Sequence, residues 1–334
     1  MITNKMRVSP LQLLQFLLFA VVVAFLFSAQ NFMGSFFFFL ASRIMILGLL
    51  AMSLSLLAGY GGLTSLAQAS FAGIAGYTVA VGQVWHAWSF SQTVIVGLLL
   101  TVAVATLFAI FTVRSHGTYF FMLTLTFASL VHMSSLQWSE VTRGFSGVVG
   151  VPGPVIFGRM FSGTASVYQL IIVIVPLCYI LMKRIVNSPF GIALQGVRDN
   201  RVKMMSLGFN VNLVRVMVVA ISSIFAAIAG ILTTTFYGMM APDMVNVSAG
   251  LMVLFMALIG CVRRLEGAFI GAFVYVMFED FISQYTLRYM SFIGIMFILI
   301  VLFMPNGVLG TPIIERLGRF ISNLVSGKRS KKIQ

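Results

Sequence analysis

The chain of 334 residues is 60% hydrophobic, carries charge on only 8% of its residues and has a mean hydropathy of +1.05. So little charge excludes a soluble globular domain of this length, because that much apolar surface cannot all be covered. The net charge of +14 does not indicate nucleic-acid binding, since the basic residues lie between apolar runs, where membrane orientation and anionic lipid explain them.

Ten apolar runs follow one another, and most reach the ~20 residues that cross ~30 Å of hydrocarbon. They predict an all-α, polytopic membrane protein of about ten transmembrane helices, with one permease-like transmembrane domain over 1–334. The first run resembles a signal peptide, but Phe27 occupies the place where cleavage requires a small residue, so we interpret this run as a retained span. The eighth and ninth runs are short and form either a tight hairpin or a partly re-entrant segment. The runs cover 11–27, 36–58, 63–85, 93–113, 118–136, 167–182, 213–237, 249–262, 265–280 and 290–305.

The distribution of lysine and arginine predicts how these spans are oriented. With ten spans, three basic residues fall on one side and Arg43 falls inside a run, which leaves the other 17 of the 21 on the opposite side. Because basic residues favour the cytoplasmic side, both termini are predicted to be inside (N-in/C-in). Residues 137–166 then form an extracytoplasmic loop. Residues 311–334 form a cytoplasmic basic tail close to the lipid headgroups.

A stretch rich in small residues, from Gly59 to Tyr77, follows the second run. Glycine, alanine and serine let helix backbones approach closely. Adjacent glycines at membrane depth can also mark an unwound helix that lines a transport path. The pattern therefore leaves two interpretations open, tight helix packing or a translocation path. The candidate residues are Gly61, Gly62, Ser65, Gln68, Gly73, Gly76 and Tyr77.

The long polar segment at 187–208 separates the sixth and seventh runs and has the signals of a surface helix. The Ser188-Pro189 pair suits an N-cap and a first helical position, and Gly208 suits a helix end. Asp199 and Lys203 are four residues apart with the acid first, as in a stabilising helical pair. Physical reasoning alone leaves two interpretations, a basic loop that sets orientation or a docking element for a soluble partner.

Three motifs resemble the LivH/LivM family of ABC-importer permeases for branched-chain amino acids, and the LivM type more than LivH. In the first motif the matching residues are Thr64-Ser-Leu-Ala-Gln68, Phe71, Gly73 and Gly76-Tyr77, with Ala67 in place of a family glycine. The second is Phe190-Gly-Ile-Ala-Leu-Gln-Gly-Val-Arg-Asp-Asn200 with Leu207-Gly208, where Arg201 replaces an acid that the family usually has. The third is the ending Leu302-Phe-Met-Pro-Asn-Gly-Val-Leu-Gly310.

The resemblance implies a permease subunit that forms the translocation path for branched-chain or related amino acids across the bacterial cytoplasmic (inner) membrane. It implies a second, LivH-like permease subunit, two ABC ATPase subunits that bind the ATP, and an extracytoplasmic binding protein that delivers the solute. The segment at 187–208 would be the cytoplasmic coupling loop that seats on the ATPases. Its docking residues would be Gly191, Gly196, Arg198, Asp199, Asn200, Arg201, Leu207 and Gly208. Some members of this family carry urea or other small solutes, and this alternative stays open.

The sequence contains no constellation for catalysis, metal binding or a cofactor. The spacing of Gly191 and Gly196 lacks the Lys and Ser/Thr of a P-loop, so this chain is not expected to bind ATP or to be an enzyme. His86, His116 and His132 are scattered without metal-ligand spacing. His132 lies inside a run and is interpreted as a hydrogen-bonded packing residue.

A secondary carrier is the alternative from another class of transporter. A proton-coupled carrier usually needs an acid at mid-depth in the membrane, and none of the seven acids is placed there by the run limits. Glu279 and Asp280 lie near the outer end of a run and are interpreted as a surface pair, whereas Arg43 is expected to snorkel to the outer surface. Cys178 and Cys261 are predicted to be small buried hydrophobes.

Overall fold

The computed structural model describes residues 35–115, 117–156, 159–161, 163–286, 288–304 and 307–310, and within these ranges the chain is mainly helical. The apolar run at 11–27 and the basic tail at 311–334 lie outside the described residues. The helices are α1 (Ser35–Ser55), α2 (Gln68–Val84), α3 (Phe90–Thr112), α4 (Thr118–Gln137), α5 (Ser139–Thr142), α6 (Thr164–Val186), α7 (Pro189–Asp199), α8 (Arg201–Ser206), α9 (Val211–Tyr237), α10 (Val247–Gly260), α11 (Leu265–Ser283) and α12 (Tyr289–Phe303).

Short strands and single helical turns supplement these helices. β1 (Val148–Val149) pairs antiparallel with β4 (Met239–Met240), with Val148 opposite Met240. β2 (Val155–Ile156) pairs antiparallel with β3 (Arg159–Met160). The 3₁₀ turns are Gly144–Ser146, Pro242–Val245 and Val308–Gly310. The β1–β4 pairing ties the segment at 137–166, which contains α5 and β1 to β3, to the end of α9.

The core forms around α1 and α9. α1 packs against α6, α9, α10 and α11, and α9 packs against α1, α2 and α3. Within the most apolar stretch of each helix, 67% of the residues of α1 and 61% of those of α9 are buried, compared with only 22% in α3 and 22% in α4. A helix that is apolar all round must either be buried or face lipid. The outer faces of α3 and α4 are therefore the surfaces available to lipid or to another membrane subunit.

Five described helices, α1, α3, α4, α6 and α9, are long and apolar enough to cross a membrane, and α10 with α11 supplies a sixth if that bent pair is one span. α2 has 17 residues and α12 has 15, so each is shorter than the ~30 Å hydrocarbon core at 1.5 Å per residue. The apolar runs from 36–58 to 290–305 nevertheless each coincide with one helix. The chain is a multi-helix membrane protein, and about ten spans remains a prediction.

The eighth and ninth runs are the bent pair, α10 and α11, whose axes differ by 114° across a short turn. Glycines on both helices allow this bend. A side chain on Gly267 would place its Cβ 2.6 Å from the Gly260 carbonyl oxygen, and one on Gly271 would collide with the Met256 carbonyl. The GxxxG pattern of Gly267 and Gly271 is therefore a helix-packing face.

Contacts between loops divide them into two groups at opposite ends of the helices. At one end Arg198, before α9, donates to the Gly59 carbonyl after α1, and Gly59 also packs on Val262 in the α10–α11 turn. At the other end β1 pairs with β4, and Arg143 lies 5.1 Å from the ring centre of Trp85. The orientation predicted from lysine and arginine places these loops in the same two groups, one rich and one poor in basic residues. Which group faces the cytoplasm remains a prediction.

Candidate functional site

The span that begins with α1 is broken beside a group of glycines. α1 continues into a π-helix at Leu56–Tyr60, and an irregular segment from 61 to 67 precedes α2. Gly62 has a φ of +68°, which L-residues rarely adopt. The Leu63 amide donates to the Leu57 carbonyl at 3.1 Å and not to Gly59, as an α-helix would require. The glycines at 59–62 therefore mark an unwound segment, and the run at 63–85 becomes helical only at residue 68.

The broken segment is enclosed by backbone on two sides. A side chain at Gly59 would collide with the Val262 carbonyl in the α10–α11 turn. A Cβ at Gly61 would lie 2.6 Å from the Leu57 carbonyl oxygen and 3.5 Å from Cδ1 of Leu194 on α7. These positions need glycine because backbone or a buried side chain occupies the space of a Cβ. The break is thus packed between α7 and the α10–α11 turn.

Arg198 links α7 to this break. Its Nη1 donates to the Gly59 carbonyl oxygen at 2.5 Å, and its Nε donates to Oδ1 of Asp199 at 2.8 Å. A Cβ at Gly62 would lie 2.7 Å from Cγ of Arg198, so the arginine stem lies directly over that glycine. The Arg198 side chain is only 22% exposed, whereas that of Asp199 is 66% exposed. The structure therefore brings a predicted docking residue, Arg198, onto the predicted path residues at the break.

The segment after α6 is capped where its sequence indicates, but it contains two helices. The Ser188 side chain accepts from the Gly191 amide, which confirms the predicted N-cap with Pro189 in the first turn. Gly208 has a φ of +84°, and the Gly208 and Phe209 amides donate to Met205 and Met204 in a Schellman-type helix end. This confirms Gly208 as the helix stop.

The interpretation of one continuous helix over this segment is wrong. Asn200 is extended, with φ −155° and ψ 97°, and its side chain caps α8 by accepting from the Lys203 amide at 3.0 Å. Because this side chain satisfies an amide at the start of a new helix, the chain turns at Asn200. The expected pair of Asp199 with Lys203 is also wrong, since the break separates them and Asp199 pairs with Arg198 at 2.8 Å.

Exposed apolar side chains lie along α7, α8 and the residues that follow, and we call this group the α7–α8 patch. Leu194 and Val197 are buried against the core, so α7 faces the other helices with these residues. The patch consists of Ile192, Val202, Met205, Leu207 and Phe209, each at least 46% exposed. The polar docking candidates Asp199 and Asn200 are exposed beside it. Only Leu207 of the patch was among the predicted docking residues; apolar residues within a polar surface segment were the signal for the others.

Two predicted docking glycines have structural roles. A Cβ on Gly191 would collide with the Val186 carbonyl at the end of α6. A Cβ on Gly196 would lie 2.8 Å from Sδ of Met204 on α8. Gly191 therefore lets α7 turn tightly away from α6, and Gly196 lets α8 fold back on α7. Arg201 donates to Oδ1 of Asn212 at 3.2 Å and thereby joins α8 to the start of α9.

Gln68 connects three helices deep in the core. The Ser53 hydroxyl on α1 donates to Oε1 of Gln68 at 3.1 Å, and Nε2 of Gln68 donates to the Ser222 hydroxyl on α9 at 3.2 Å. All three side chains are fully buried or nearly so. Ser65 is also buried and accepts from the Ala67 amide at 3.1 Å, which caps the turn into α2. Ser53 and Ser222 were missed because nothing local in the sequence identifies their helices as neighbours.

The remaining candidates on α2 lie in tight packing contacts. A Cβ on Gly73 would lie 2.5 Å from a methyl group of Val245, and one on Gly76 would lie 2.6 Å from Oγ1 of Thr234. Tyr77 is buried against β1 and the 3₁₀ turn after β4. For Gly73 and Gly76 the geometry agrees with tight packing, one of the two interpretations left open. The unwound Gly61 and Gly62 agree with the other.

At the end of the helices away from Arg198, Arg43 on α1 forms an ion pair with two acids of α11. Its Nη1 lies 2.8 Å from Oδ1 of Asp280, and its Nη2 lies 2.8 Å from Oε2 of Glu279. The expectation that Arg43 snorkels and that the acids form a separate surface pair is wrong, because adjacent helices bring the groups together. A buried or half-buried charge is stabilised by such a fork. The signal in the sequence was one cation in the outer half of one run and two acids near the outer end of another.

A second polar cluster joins α6 to the start of α11, near the break. The Tyr179 hydroxyl donates to Oε1 of Glu266 at 2.5 Å, and Nζ of Lys183 lies 3.0 Å from the same oxygen.

Among the other single candidates, Nδ1 of His132 lies 3.2 Å from the Pro242 carbonyl oxygen, which agrees with a packing role. Both cysteines are buried, as predicted. No group of three His, Cys, Asp or Glu within the described ranges could hold a metal ion.

Comparison with known proteins assigns the chain to a family. The profile of the branched-chain amino acid transport system permease component matches residues 36–302. The chain belongs to this permease family. LivM of Escherichia coli, a high-affinity branched-chain amino acid transport system permease protein, is 24% identical over 293 residues, which are 81% of this chain and 69% of LivM. LivH of the same organism is 29% identical over 161 residues, which are 47% of this chain and 52% of LivH.

A further relative of this permease family is the tyrosine transport system permease protein of Clostridioides difficile. It is 29% identical over 142 residues, which are 42% of this chain and 47% of that protein. No solved structure matches the chain. The relatives are permease subunits of transport systems and not enzymes, and the chain is accordingly a multi-pass permease of the branched-chain amino acid transport family.

Proposed function

We propose that this chain is one permease subunit of an ABC importer, located in the bacterial cytoplasmic membrane. It forms the translocation path for branched-chain or related amino acids together with a second, LivH-like permease subunit. Two ATPase subunits dock on the cytoplasmic side and supply the energy, so the chain itself needs no cofactor. A binding protein on the other side of the membrane delivers the solute.

The observation that carries this proposal is the two-faced construction of α7 and α8. The inner face buries Leu194 and Val197 among the helices and places Arg198 on the break after α1. The outer face exposes the α7–α8 patch. Exposed large apolar residues grouped in an otherwise polar segment are typical of a site where a protein or a membrane binds, and a soluble partner is the occupant that we propose. A basic loop that only sets membrane orientation would need neither a buried inner face nor exposed apolar residues on its outer face.

The mechanism that fits this construction is alternating access. Closure of the ATPases displaces α7 and α8, and the helices packed on them move as rigid bodies about the break. The unwound residues at 61–67 and the bent pair α10 and α11 are the interrupted helices around which such motions occur in transporters. Gln68, one residue beyond the break, holds α1, α2 and α9 in one arrangement through its two hydrogen bonds.

Transport assays on the complex isolated through a tag on this chain test the function. In proteoliposomes, we expect ATP-dependent uptake of at least one of leucine, isoleucine and valine when the binding protein is present. Tyrosine and urea are included because a relative is named for tyrosine transport and because small-solute carriage is the open alternative. Uptake without ATP that is abolished by a proton ionophore would instead establish a secondary carrier.

Substitutions in the α7–α8 patch test the docking surface separately. Val202→Asp places a charge in the patch, and we expect the ATPase subunits to be lost during purification. Val149→Asp is the matched control, because Val149 is similarly exposed, at 55% against 68%, but lies at the other end of the helices. Retention of the ATPases by both variants would show that the patch is not the docking surface.

A further inference from the structure

The guanidinium group of Arg198, a predicted docking residue, points into the chain. Its side chain is 22% exposed, and its guanidinium group contacts the Gly59 carbonyl and the Asp199 carboxylate. A residue in this position offers little surface to a soluble partner. Asp199, at 66% exposure, is the member of the pair that faces outwards.

The carbonyl that Arg198 binds is one that the helix has released. In an α-helix the Leu63 amide would donate to Gly59, but here it donates to Leu57, and the Gly61 and Gly62 amides donate to Leu56 and Ala58. A backbone carbonyl released at the end of a helix needs a replacement donor where water is scarce. Arg198 provides that donor at 2.5 Å, across 139 residues of sequence.

Packing fixes the geometry of this hydrogen bond. The Arg198 stem lies over Gly62, and Gly59 lies against Val262, so packing holds both partners in addition to the hydrogen bond. Leu194, one turn earlier on α7, lies over Gly61. A displacement of α7 is therefore transferred to the break, and through Val262 to the α10–α11 turn.

We propose that Arg198 is a coupling residue: it transmits movement of α7 to the broken span through the Gly59 carbonyl, and it is not a docking contact. This rests on the proposed function, since the movement is supplied by docked ATPases. The Arg198–Gly59 contact itself is a property of the permease alone. The two can therefore be tested separately.

Hydrogen exchange on the full-length chain in lipid nanodiscs tests the contact without any ATPase. Arg198→Met keeps the apolar stem over Gly62 but removes every donor. We expect the amides at 61–63 to exchange on the order of 10- to 150-fold faster, which corresponds to the ~1.5–3 kcal/mol of a hydrogen bond to a charged group. Arg184→Met removes a charge from an exposed residue at the end of α6 and should leave these amides unchanged. Equal exchange in both variants would overturn the proposal.

Uptake per ATP hydrolysed in the reconstituted complex tests the coupling role. With Arg198→Met we expect the ATPase subunits to co-purify and hydrolysis to stay within about twofold of wild type, while uptake per ATP falls at least tenfold. Arg198→Lys, which restores the charge and N–H donors on a shorter, differently shaped head group, should recover part of the loss. Wild-type uptake per ATP in Arg198→Met would refute the role, and loss of the ATPases would show that Arg198 is a docking contact after all. If the wild-type chain retains no ATPase, the proposed function fails, and the exchange experiment still decides the contact.

Discussion

The contact between α2 and α9 leads to the sharpest stability prediction, Gly230→Ala. Gly230 on α9 lies against the backbone of α2, where a Cβ would collide with the Ala72 carbonyl oxygen and come within 2.5 Å of its carbon atom. Ordinary contact begins at 3.4 Å, so the two helices must separate by ~1.5 Å before the carbonyl oxygen is cleared. Both obstacles are backbone atoms and cannot turn aside as a flexible side chain would.

The magnitude follows from what that separation disturbs. Overpacking of this kind costs about 1–3 kcal/mol. The Gln68–Ser222 hydrogen bond joins the same two helices at 3.2 Å, and moving it out of range costs a further ~0.5–1.5 kcal/mol. Alanine recovers ~1 kcal/mol because it is the better helix former. The expected net loss of stability is about 0.5–3.5 kcal/mol.

Thermal unfolding in detergent, followed by fluorescence-detected size exclusion, measures this loss. Gly294→Ala is the matched control, because Gly294 is also helical but has no atom within 4 Å of a Cβ. The control should be neutral or slightly stabilised, while Gly230→Ala should unfold at a clearly lower temperature. Equal unfolding temperatures for the two variants would refute the close packing of α2 on α9.

Three further predictions follow from the termini, the helix stop and the ion pair. Cysteines introduced at Ser9 and Ser330 should react only with reagent that reaches the cytoplasm; labelling from outside intact cells would contradict the predicted orientation. Gly208→Val should weaken ATPase co-purification because a β-branched residue disfavours the φ of +84°, whereas Gly208→Asn should be tolerated, since nothing else lies within 4 Å. Arg43→Met leaves Glu279 without its cation at a 2.8 Å contact, so the purified protein should lose stability by more than Arg43→Lys does; equal unfolding temperatures would exclude a stabilising role.

The candidate site was only partly predictable. The capping residues Ser188 and Gly208 were correctly identified, because capping depends on residues within one turn of the helix end. The break at Asn200 was missed, although asparagine is a common N-cap, because the apolar residues on either side continue the helical pattern. Because of that break, Asp199 pairs with Arg198 and not with Lys203 as predicted.

Pairings between distant residues were not predictable. Arg198 with Gly59 and Arg43 with Glu279 are separated by 139 and 236 residues. Each depends on which helices become neighbours, and helices of nearly uniform apolar character carry little local information about their partners. The same limit explains why Gln68 was recognised as a candidate but its contact with Ser222 was not.

The sequence by itself determined that the chain is a helical membrane protein, where most of its helices lie, and which segment is the polar surface element between α6 and α9. These follow from hydropathy, length and capping, which act over a few residues or along one helix. Only the tertiary structure decided that this surface element contacts the break after α1 through Arg198, and that α1 and α9 form the centre of the helix core. The reason is that a backbone carbonyl released at a break binds a donor that packing places beside it. Packing is a property of the whole set of helices and cannot be inferred from one segment.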